Sequence, residues 1–346
     1  MTESDSAGWG DKTYAQRDAV RRGEAPVART GLRSAARAMI ESGSDAPGIS
    51  AADFGLPPHT ALRYERPVAA LRRHLTSYAV FDSAPGQWPG TVEWMLPAWA
   101  QIWIVMADGP VRVKLGAKDF APLPATVLYG VTSRAMPVTA QGGVTIGIDV
   151  SPLGWARLFR VPAERLRDQV TSLGAVMKPA VAARLASALA ASDRAREVKE
   201  VLDGFFTRQM AQPHRDEAMI AEIMALIADH DISDLTAAAE ARGIDQRSVR
   251  RLSKRYFGFP PKTLMMRTRF LRALVPLLEH GNAADHALIP PGYYDRSHFL
   301  RDARRYLGMT PRQFIARPSP YRDAAMRARK LVIGAPIAAL DDVADE

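Results

Sequence analysis

The chain has 346 residues, of which 47% are hydrophobic and 24% are charged, and it carries a net charge of +9 with no cysteine. This composition is typical of a folded protein of about two domains, and the lack of cysteine excludes disulfides, thiolate metal sites and cysteine nucleophiles. The N-terminus has no apolar signal segment, and the most apolar stretch, 94–106, is too short to span a membrane. We therefore expect a cytoplasmic protein with no membrane partner.

The first half of the chain is predicted to be rich in β-structure. Residues 1–65 are expected to form an extension that is partly helical or disordered. After it, six segments rich in β-branched and aromatic residues, separated by turn residues, predict an antiparallel sheet or small barrel: 77–81, 91–95, 102–106, 111–115, 126–129 and 144–150. From about 153 the pattern becomes helical up to a linker at 212–214, so that 66–212 would form a β-rich sensor and dimerisation domain with flanking helices.

Two groups of apolar residues in this half have alternative interpretations. All six tryptophans precede residue 156, and three of them either line a ligand pocket or pack in the core: Trp94, Trp99 and Trp103. Four residues of the predicted helices either form a dimer interface or pack on their own sheet: Leu185, Leu189, Val198 and Phe205.

The excess positive charge lies in the last third of the chain. The segment 231–322 contains 17 Lys and Arg against 8 Asp and Glu, so it carries the whole net charge. A basic module joined to a neutral one favours a nucleic-acid-binding protein, although a merely solvated basic face would have the same composition.

This basic region contains an internal repeat at an offset of 50 residues, in which 251–261 aligns with 301–311. The matching positions are Arg251 with Arg301, Lys254 with Arg304, Arg255 with Arg305, Tyr256 with Tyr306, Gly258 with Gly308 and Pro261 with Pro311. A repeat of this kind indicates that one basic helical unit has been duplicated.

The first copy is predicted to be a helix-turn-helix unit. Gly243 can end its first helix in the left-handed conformation, and Asp245 is a good N-cap for the second. The second helix would bury Val249, Leu252 and Tyr256 at i, i+3 and i+7. Its opposite face carries polar and cationic side chains suited to the major groove of DNA: Gln246, Arg247, Arg250, Arg251 and Lys254.

The second copy is predicted to follow the same plan with a shortened first helix, 282–287, because Pro290 and Pro291 follow it. Asp295 would cap a helix that buries Phe299, Ala303 and Tyr306. The outward residues are predicted DNA contacts: Arg296, Ser297, His298 and Arg301. A helix over 262–279, about 27 Å long, would hold the two recognition helices about one DNA turn apart. Its arginines, Arg267, Arg269 and Arg272, are expected to form ion pairs or phosphate contacts.

Several motifs of this region resemble the AraC/XylS family of bacterial transcription regulators: Gly258-Phe-Pro-Pro261, Arg267-x-Arg-Phe-x-x-Ala-Leu274, Tyr293-Tyr-Asp-Arg-Ser-His-Phe299 and Gly308-Met-Thr-Pro311. The resemblance covers about 215–318. It implies an all-helical DNA-binding domain, here 213–322, with two helix-turn-helix units joined by a long helix, followed by a C-terminal tail, 323–346. By position it implies base contacts at Arg247, Arg250 and Arg251 and at Arg296, Ser297 and Arg301.

The sequence thus predicts an α+β multidomain chain that acts as a sequence-specific transcription regulator. Its expected partners are double-stranded promoter DNA, RNA polymerase, a small-molecule effector in the β-rich domain and a second copy of the chain. No cofactor, metal or enzymatic activity is predicted, because the motifs of phosphate-binding loops, serine hydrolases and zinc proteases are missing from the sequence. Two alternatives are a sequence-neutral DNA-binding protein and an enzyme domain fused to a DNA-binding module. A β-rich domain that only dimerises would need no ligand.

Overall fold

The segment after residue 60 forms strands because β-branched and aromatic residues dominate it and its apolar positions often alternate with polar ones. The computed structural model describes residues 38–84, 92–280 and 292–341, which belong to one unit of the chain, Ala38–Glu346. The strands in these ranges are β1 (Thr60–Glu65), β2 (Leu75–Ser83), β3 (Val92–Met95), β4 (Ala100–Ala107), β5 (Arg112–Leu115), β6 (Lys118–Phe120), β7 (Thr126–Tyr129), β8 (Met136–Thr139), β9 (Gly143–Val150) and β10 (Val170–Ser172).

The strands form two antiparallel sheets, so the predicted β-rich architecture is confirmed. The larger sheet has the order β1-β2-β9-β4-β7-β10, and the smaller has the order β3-β8-β5-β6. At the centre of the larger sheet, Ile148 of β9 lies opposite Tyr78 on one side and Ile102 on the other. Each of the six predicted segments overlaps one strand, and the strands that were not predicted are β1, β6, β8 and β10.

Strand β1 lies within the region that was expected to be a helical or disordered extension, and that expectation is wrong for residues 60–65. The strand pairs with β2 along its whole length, from Thr60 opposite Ser83 to Glu65 opposite Tyr78. Its charged residues Arg63 and Glu65 are buried as an ion pair with 2.8 Å between Nε and Oε1. The strand was missed because the sequence shows two charged residues but not that they pair with each other and can be buried. Residues 1–37 of the predicted extension lie outside the described residues.

The described residues after 152 are mainly helical, as predicted, but strand β10 was not predicted: it pairs with β7 at the edge of the larger sheet. The α-helices are α1 (Pro152–Leu158), α2 (Pro179–Ala191), α3 (Val198–Gln209), α4 (Glu217–Ala228), α5 (Leu235–Ala241), α6 (Gln246–Phe257), α7 (Pro261–His280), α8 (Arg296–Leu307), α9 (Pro311–Ile315) and α10 (Pro320–Ile333). The segment expected to be a tail from residue 323 thus begins within helix α10. That helix packs against β1 and β3.

The β-rich and helical regions share one hydrophobic core. A single cluster of buried side chains includes Ile102 and Ile148 of the larger sheet together with Leu252 of α6 and Phe270 of α7. The four residues for which a dimer interface was an alternative are buried in the same cluster: Leu185, Leu189, Val198 and Phe205. Packing within the chain is therefore the correct alternative for these four residues.

Candidate nucleic-acid interface

The first helix-turn-helix unit is built as the sequence predicts. Helix α5 is followed by Gly243, whose φ of 80° is in the left-handed region that favours glycine. Asp245 then caps α6, because its carboxylate accepts a hydrogen bond of 3.0 Å from the backbone N–H of Ser248. The hydrogen bonds from Ser248 also lower the pKa of Asp245. The direction in which α6 leaves the turn is thus fixed by local chemistry.

Helix α6 divides into a buried and an exposed face. Val249, Leu252 and Tyr256 are buried against the rest of the unit, as predicted. The five residues predicted to contact DNA are all exposed: Gln246, Arg247, Arg250, Arg251 and Lys254. The structure therefore brings these five side chains together on one accessible side of the helix.

The second unit repeats this arrangement in the part that the structure describes. Asp295 caps α8 by accepting a hydrogen bond of 2.7 Å from the N–H of His298. Phe299, Ala303 and Tyr306 are buried as predicted. The outward residues Arg296, Ser297 and Arg301 are exposed. The predicted first helix, 282–287, and the two prolines at 290 and 291 lie outside the described residues.

In each unit, a buried aspartate accepts a hydrogen bond from a tyrosine hydroxyl. In the first, Asp216 accepts a hydrogen bond of 2.6 Å from the Tyr256 hydroxyl and lies 3.7 Å from Nη1 of Arg251. Burial raises the pKa of Asp216, but Tyr256 and Arg251 outweigh this effect and the net shift is downward. In the second unit, Asp302 accepts hydrogen bonds from Tyr293 (2.8 Å) and Arg269 (3.1 Å).

Two residues at the start of α8 differ from what the sequence suggests. The ring of His298 is half-buried, with its centroid 5.2 Å from that of Tyr293 and its Nε2 3.2 Å from Nη2 of Arg269. His298 is therefore less available to a base than its neighbours. Tyr294, which sequence reasoning passed over, is 93% exposed beside Arg296. Its signal in the sequence was an aromatic residue directly before a helix cap in a basic segment.

Helix α7 joins the two units over nearly the predicted range, and its arginines have structural contacts. Arg269 pairs with Asp302, and Arg272 donates to backbone carbonyls at the end of α4, among them Ile227 at 3.0 Å. Arg267 is fully buried. It donates to the carbonyls of Ala98 (3.3 Å) and Thr132 (3.2 Å), and burial lowers its pKa to about 10.

The loop 130–135 of the β-rich region contacts both helix-turn-helix units. Near the first unit, a Cβ atom at Gly258 would lie only 2.2 Å from Val131, so this close approach requires glycine. Near the second unit, the N–H of Ala135 donates to the carbonyl of Tyr306 at 2.6 Å. The C-terminal ends of α6 and α8 are thus both fixed against the same loop, while their exposed basic faces remain accessible.

The tryptophans predicted as ligand-binding residues do not all lie in one place. Trp94 and Trp103 line a cavity of about 230 Å³. Trp99 is not among the described residues that line it. Its ring lies instead between the two regions, with its centroid 5.8 Å from that of Phe257 and 4.3 Å from the guanidinium carbon of Arg267.

Other kinds of site find no support in the described parts of the chain. Within 38–84, 92–280 and 292–341, no group of three or more His, Asp or Glu side chains is arranged to hold a metal ion. In the same ranges, no helix combines the length and the apolar character needed to cross a membrane.

The chain was compared with protein-family models, with solved structures and with curated proteins. Residues 238–317 match the family model described as "Helix-turn-helix domain". Solved structures of ToxT from Vibrio cholerae are similar at 11% identity over 66% of this chain and 94% of that chain, with a TM-score of 0.35. The unsaturated fatty acid bound wild-type ToxT from strain SCE256 is similar at 10% identity over 76% and 96%, with a TM-score of 0.38. No curated protein matches the chain.

Proposed function

We propose that this chain, whose C-terminal region is a helix-turn-helix domain of the AraC type, is a sequence-specific DNA-binding transcription regulator. The observation that carries the proposal is the pair of capped helices α6 and α8. Both bury an apolar and aromatic face and expose arginines on the other side. The proposal is that these two helices, joined by α7, enter successive major-groove segments of one DNA duplex.

The charges on these two faces support a DNA partner. Among the described residues, no carboxylate forms a salt bridge with five exposed cations of α6 and α8: Arg247, Arg250, Lys254, Arg296 and Arg301. Arginine can make two parallel hydrogen bonds to guanine, and lysine can neutralise a phosphate. Because the Asp245 and Asp295 caps set where each helix begins, these cations are presented from fixed positions.

The proposal is tested by mapping the DNA bound in cells and then measuring affinity for the mapped sequence in vitro. Affinity should fall steeply with salt, because binding releases counterions from the phosphates. Arg250→Ala should cost about 1–3 kcal/mol and weaken the preference for the mapped sequence over random DNA. A suitable control is Arg242→Ala, because Arg242 is exposed in the turn of the first unit, outside α6, and forms an ion pair with Glu222.

One outcome would contradict the proposal, and a second would contradict the role given to Arg250. Equal affinity for the mapped sequence and random DNA at physiological salt would indicate a sequence-neutral DNA-binding protein. A uniform loss of affinity across all sequences in Arg250→Ala would mean that this arginine contacts phosphate only.

We also propose that the β-rich region controls DNA binding through a small-molecule effector. Support comes from the cavity beside Trp94 and Trp103 and from the shared core, through which a change at the cavity can reach the helices. The proposal further includes a homodimer on adjacent half-sites in the bacterial cytoplasm, contact with RNA polymerase at promoters, and no catalytic activity. Light scattering of the free and DNA-bound protein tests the dimer.

A further inference from the structure

The cavity lies between the β-rich region and the helix that follows the second helix-turn-helix unit. Its walls on the sheet side include Phe81, Trp94, Trp103 and Val138. The opposite wall is one face of α10, with Tyr321, Arg322, Ala325, Met326 and Arg329 at the spacing of successive helical turns. The β-rich region alone therefore does not complete this site.

The carboxylates that line the cavity already have hydrogen-bond donors from the protein. Glu93 accepts from the Ser319 hydroxyl and from the backbone N–H groups of Tyr321 (3.4 Å) and Arg322 (3.2 Å), at the first turn of α10. Asp149 accepts hydrogen bonds from several side chains: Ser77 (2.6 Å), Gln101 (2.6 Å) and Arg329 (3.5 Å). A cationic ligand would therefore have to compete with these donors for either carboxylate.

The guanidinium groups of the cavity are also engaged. Arg329 donates two hydrogen bonds to Asp341, of 2.6 and 2.7 Å. Arg322 pairs with Asp323 at 2.7 Å, and its guanidinium lies over the Phe314 ring, 5.1 Å from the centroid. Nη1 of Arg322 is buried and has no hydrogen-bond partner among the described residues, so it is the one group that could favour an anion. Because Arg322 is already paired with Asp323, this single nitrogen would compensate only part of the hydration that an anion loses in the cavity.

We propose that this cavity binds an uncharged, largely apolar aromatic molecule. The proposal rests on the proposed effector function and adds the class of the ligand. Aromatic side chains line the cavity, and flat rings pack well against one another. A protein cavity of about 150 Å³ binds benzene, so the volume of about 230 Å³ fits a molecule of roughly ten heavy atoms.

Contacts at the edge of the cavity connect such a ligand to the second helix-turn-helix unit. The ring of Trp94 lines the cavity, and its centroid lies 5.7 Å from that of Phe314 in α9. Glu93, the neighbouring residue of β3, accepts the hydrogen bonds that begin α10. A ligand that moves β3 therefore acts on α9 and α10 together, and its binding should change the affinity for promoter DNA.

The ligand class is tested with four matched probes and the full-length protein: propylbenzene, 3-phenylpropan-1-ol, 3-phenylpropanoate and 3-phenylpropylamine. Calorimetry and tryptophan fluorescence should show binding of the two neutral probes, with both ions at least tenfold weaker. An anion or cation that binds as tightly as the neutral probes would overturn the proposal. Propylbenzene is titrated up to its solubility limit. A lack of binding of the more soluble neutral probe, 3-phenylpropan-1-ol, at about 5 mM, above a weak dissociation constant of about 1 mM, would also overturn the proposal.

Variants of α10 test whether the probes bind in this cavity. Ala325→Phe fills the cavity from the α10 side and should weaken probe binding at least tenfold. Leu331→Phe is its control, because Leu331 is on the same helix but 45% exposed and outside the cavity lining. If Ala325→Phe does not fold, Ala140→Leu fills the cavity from the sheet side. Unchanged probe affinity in a folded cavity-filling variant would show that the probe binds elsewhere.

A final experiment distinguishes a failure of the proposed ligand class from a failure of the proposed effector control. Promoter-DNA affinity is measured with and without saturating 3-phenylpropan-1-ol, in the wild type and in Ala325→Phe. We expect at least a threefold change in the wild type and none in the variant. If the neutral probes bind the cavity without changing DNA affinity, the ligand class stands and control by an effector is wrong. If an ion binds best and changes DNA affinity, control stands and the ligand class is wrong.

Discussion

Arginine has opposite surroundings in two regions of this protein. On the outer faces of α6 and α8, Arg250 and Arg301 are exposed and form no salt bridge with a described carboxylate. Where the helices meet the β-rich region, Arg267 and Arg329 are almost completely buried. The comparison teaches that burial and partners, rather than residue type, decide whether an arginine is available to bind DNA or stabilises the fold.

The largest expected effect tests the buried side of this comparison. Arg329→Met leaves the buried Asp149 and the partly buried Asp341 without their shared cation, so it should lower the free energy of unfolding by about 3–5 kcal/mol. Urea unfolding measures this change. The control is Lys330→Met, whose exposed pair with Glu279 should contribute less than about 1 kcal/mol. An equal loss in the two variants would contradict the distinction.

A buried histidine provides a second test of burial, through the dependence of stability on pH. His74 is buried, neither of its ring nitrogens has a partner among the described residues, and burial and then Arg157 lower its pKa to about 4. Between the unfolded pKa of about 6.5 and a folded value of about 4, the unfolded chain binds the proton and the folded protein does not. This group should therefore reduce stability as pH falls through that window.

The measurement is urea unfolding at several pH values, with His74→Gln for comparison. The wild type should lose about 2–3 kcal/mol from this group between pH 6.5 and 4, and the variant should lose less. Parallel pH profiles of the two proteins would show that His74 is not the group responsible.

On the exposed side, Tyr294 offers a test that leaves the fold intact. At 93% exposure, Tyr294→Ala should leave the free energy of unfolding unchanged within about 0.5 kcal/mol. It should weaken DNA binding by about 1 kcal/mol, the typical size of one lost hydrogen bond, because tyrosine contacts the DNA backbone in such interfaces. Unchanged affinity in a fluorescence titration would remove Tyr294 from the interface.

The smallest effect is expected where a buried arginine has no carboxylate in contact. Arg267→Met exchanges a desolvated cation for an apolar side chain between Trp99 and Phe259. Replacing a poorly compensated buried charge in this way is often neutral or stabilising, so we expect a change within about 1 kcal/mol. A loss as large as that in Arg329→Met would show that the carbonyls of Ala98 and Thr132 are sufficient partners for the charge.

The sequence predicted the caps and the exposed faces of the helix-turn-helix helices, because the signals for them are local. Asp245 lies three residues before the N–H that it caps, and Val249, Leu252 and Tyr256 recur at helical spacing. The buried side depends on pairs far apart in the chain, such as Arg329 with Asp149. The periodic pattern of a helix or strand does not show that two residues so far apart are in contact. For this reason the packing of α10, the cavity and the position of Trp99 between the two regions could not be predicted.

The most direct test of the central claim, that α6 and α8 contact successive segments of one duplex, is a scan of base substitutions across the mapped site. Affinity is measured for the wild type, Arg250→Ala and Arg301→Ala. We predict that each variant loses base preference in a different segment and that the two segments lie about one helical turn, or 10 base pairs, apart. Loss at the same bases in both variants, or uniform weakening at every base, would contradict the claim.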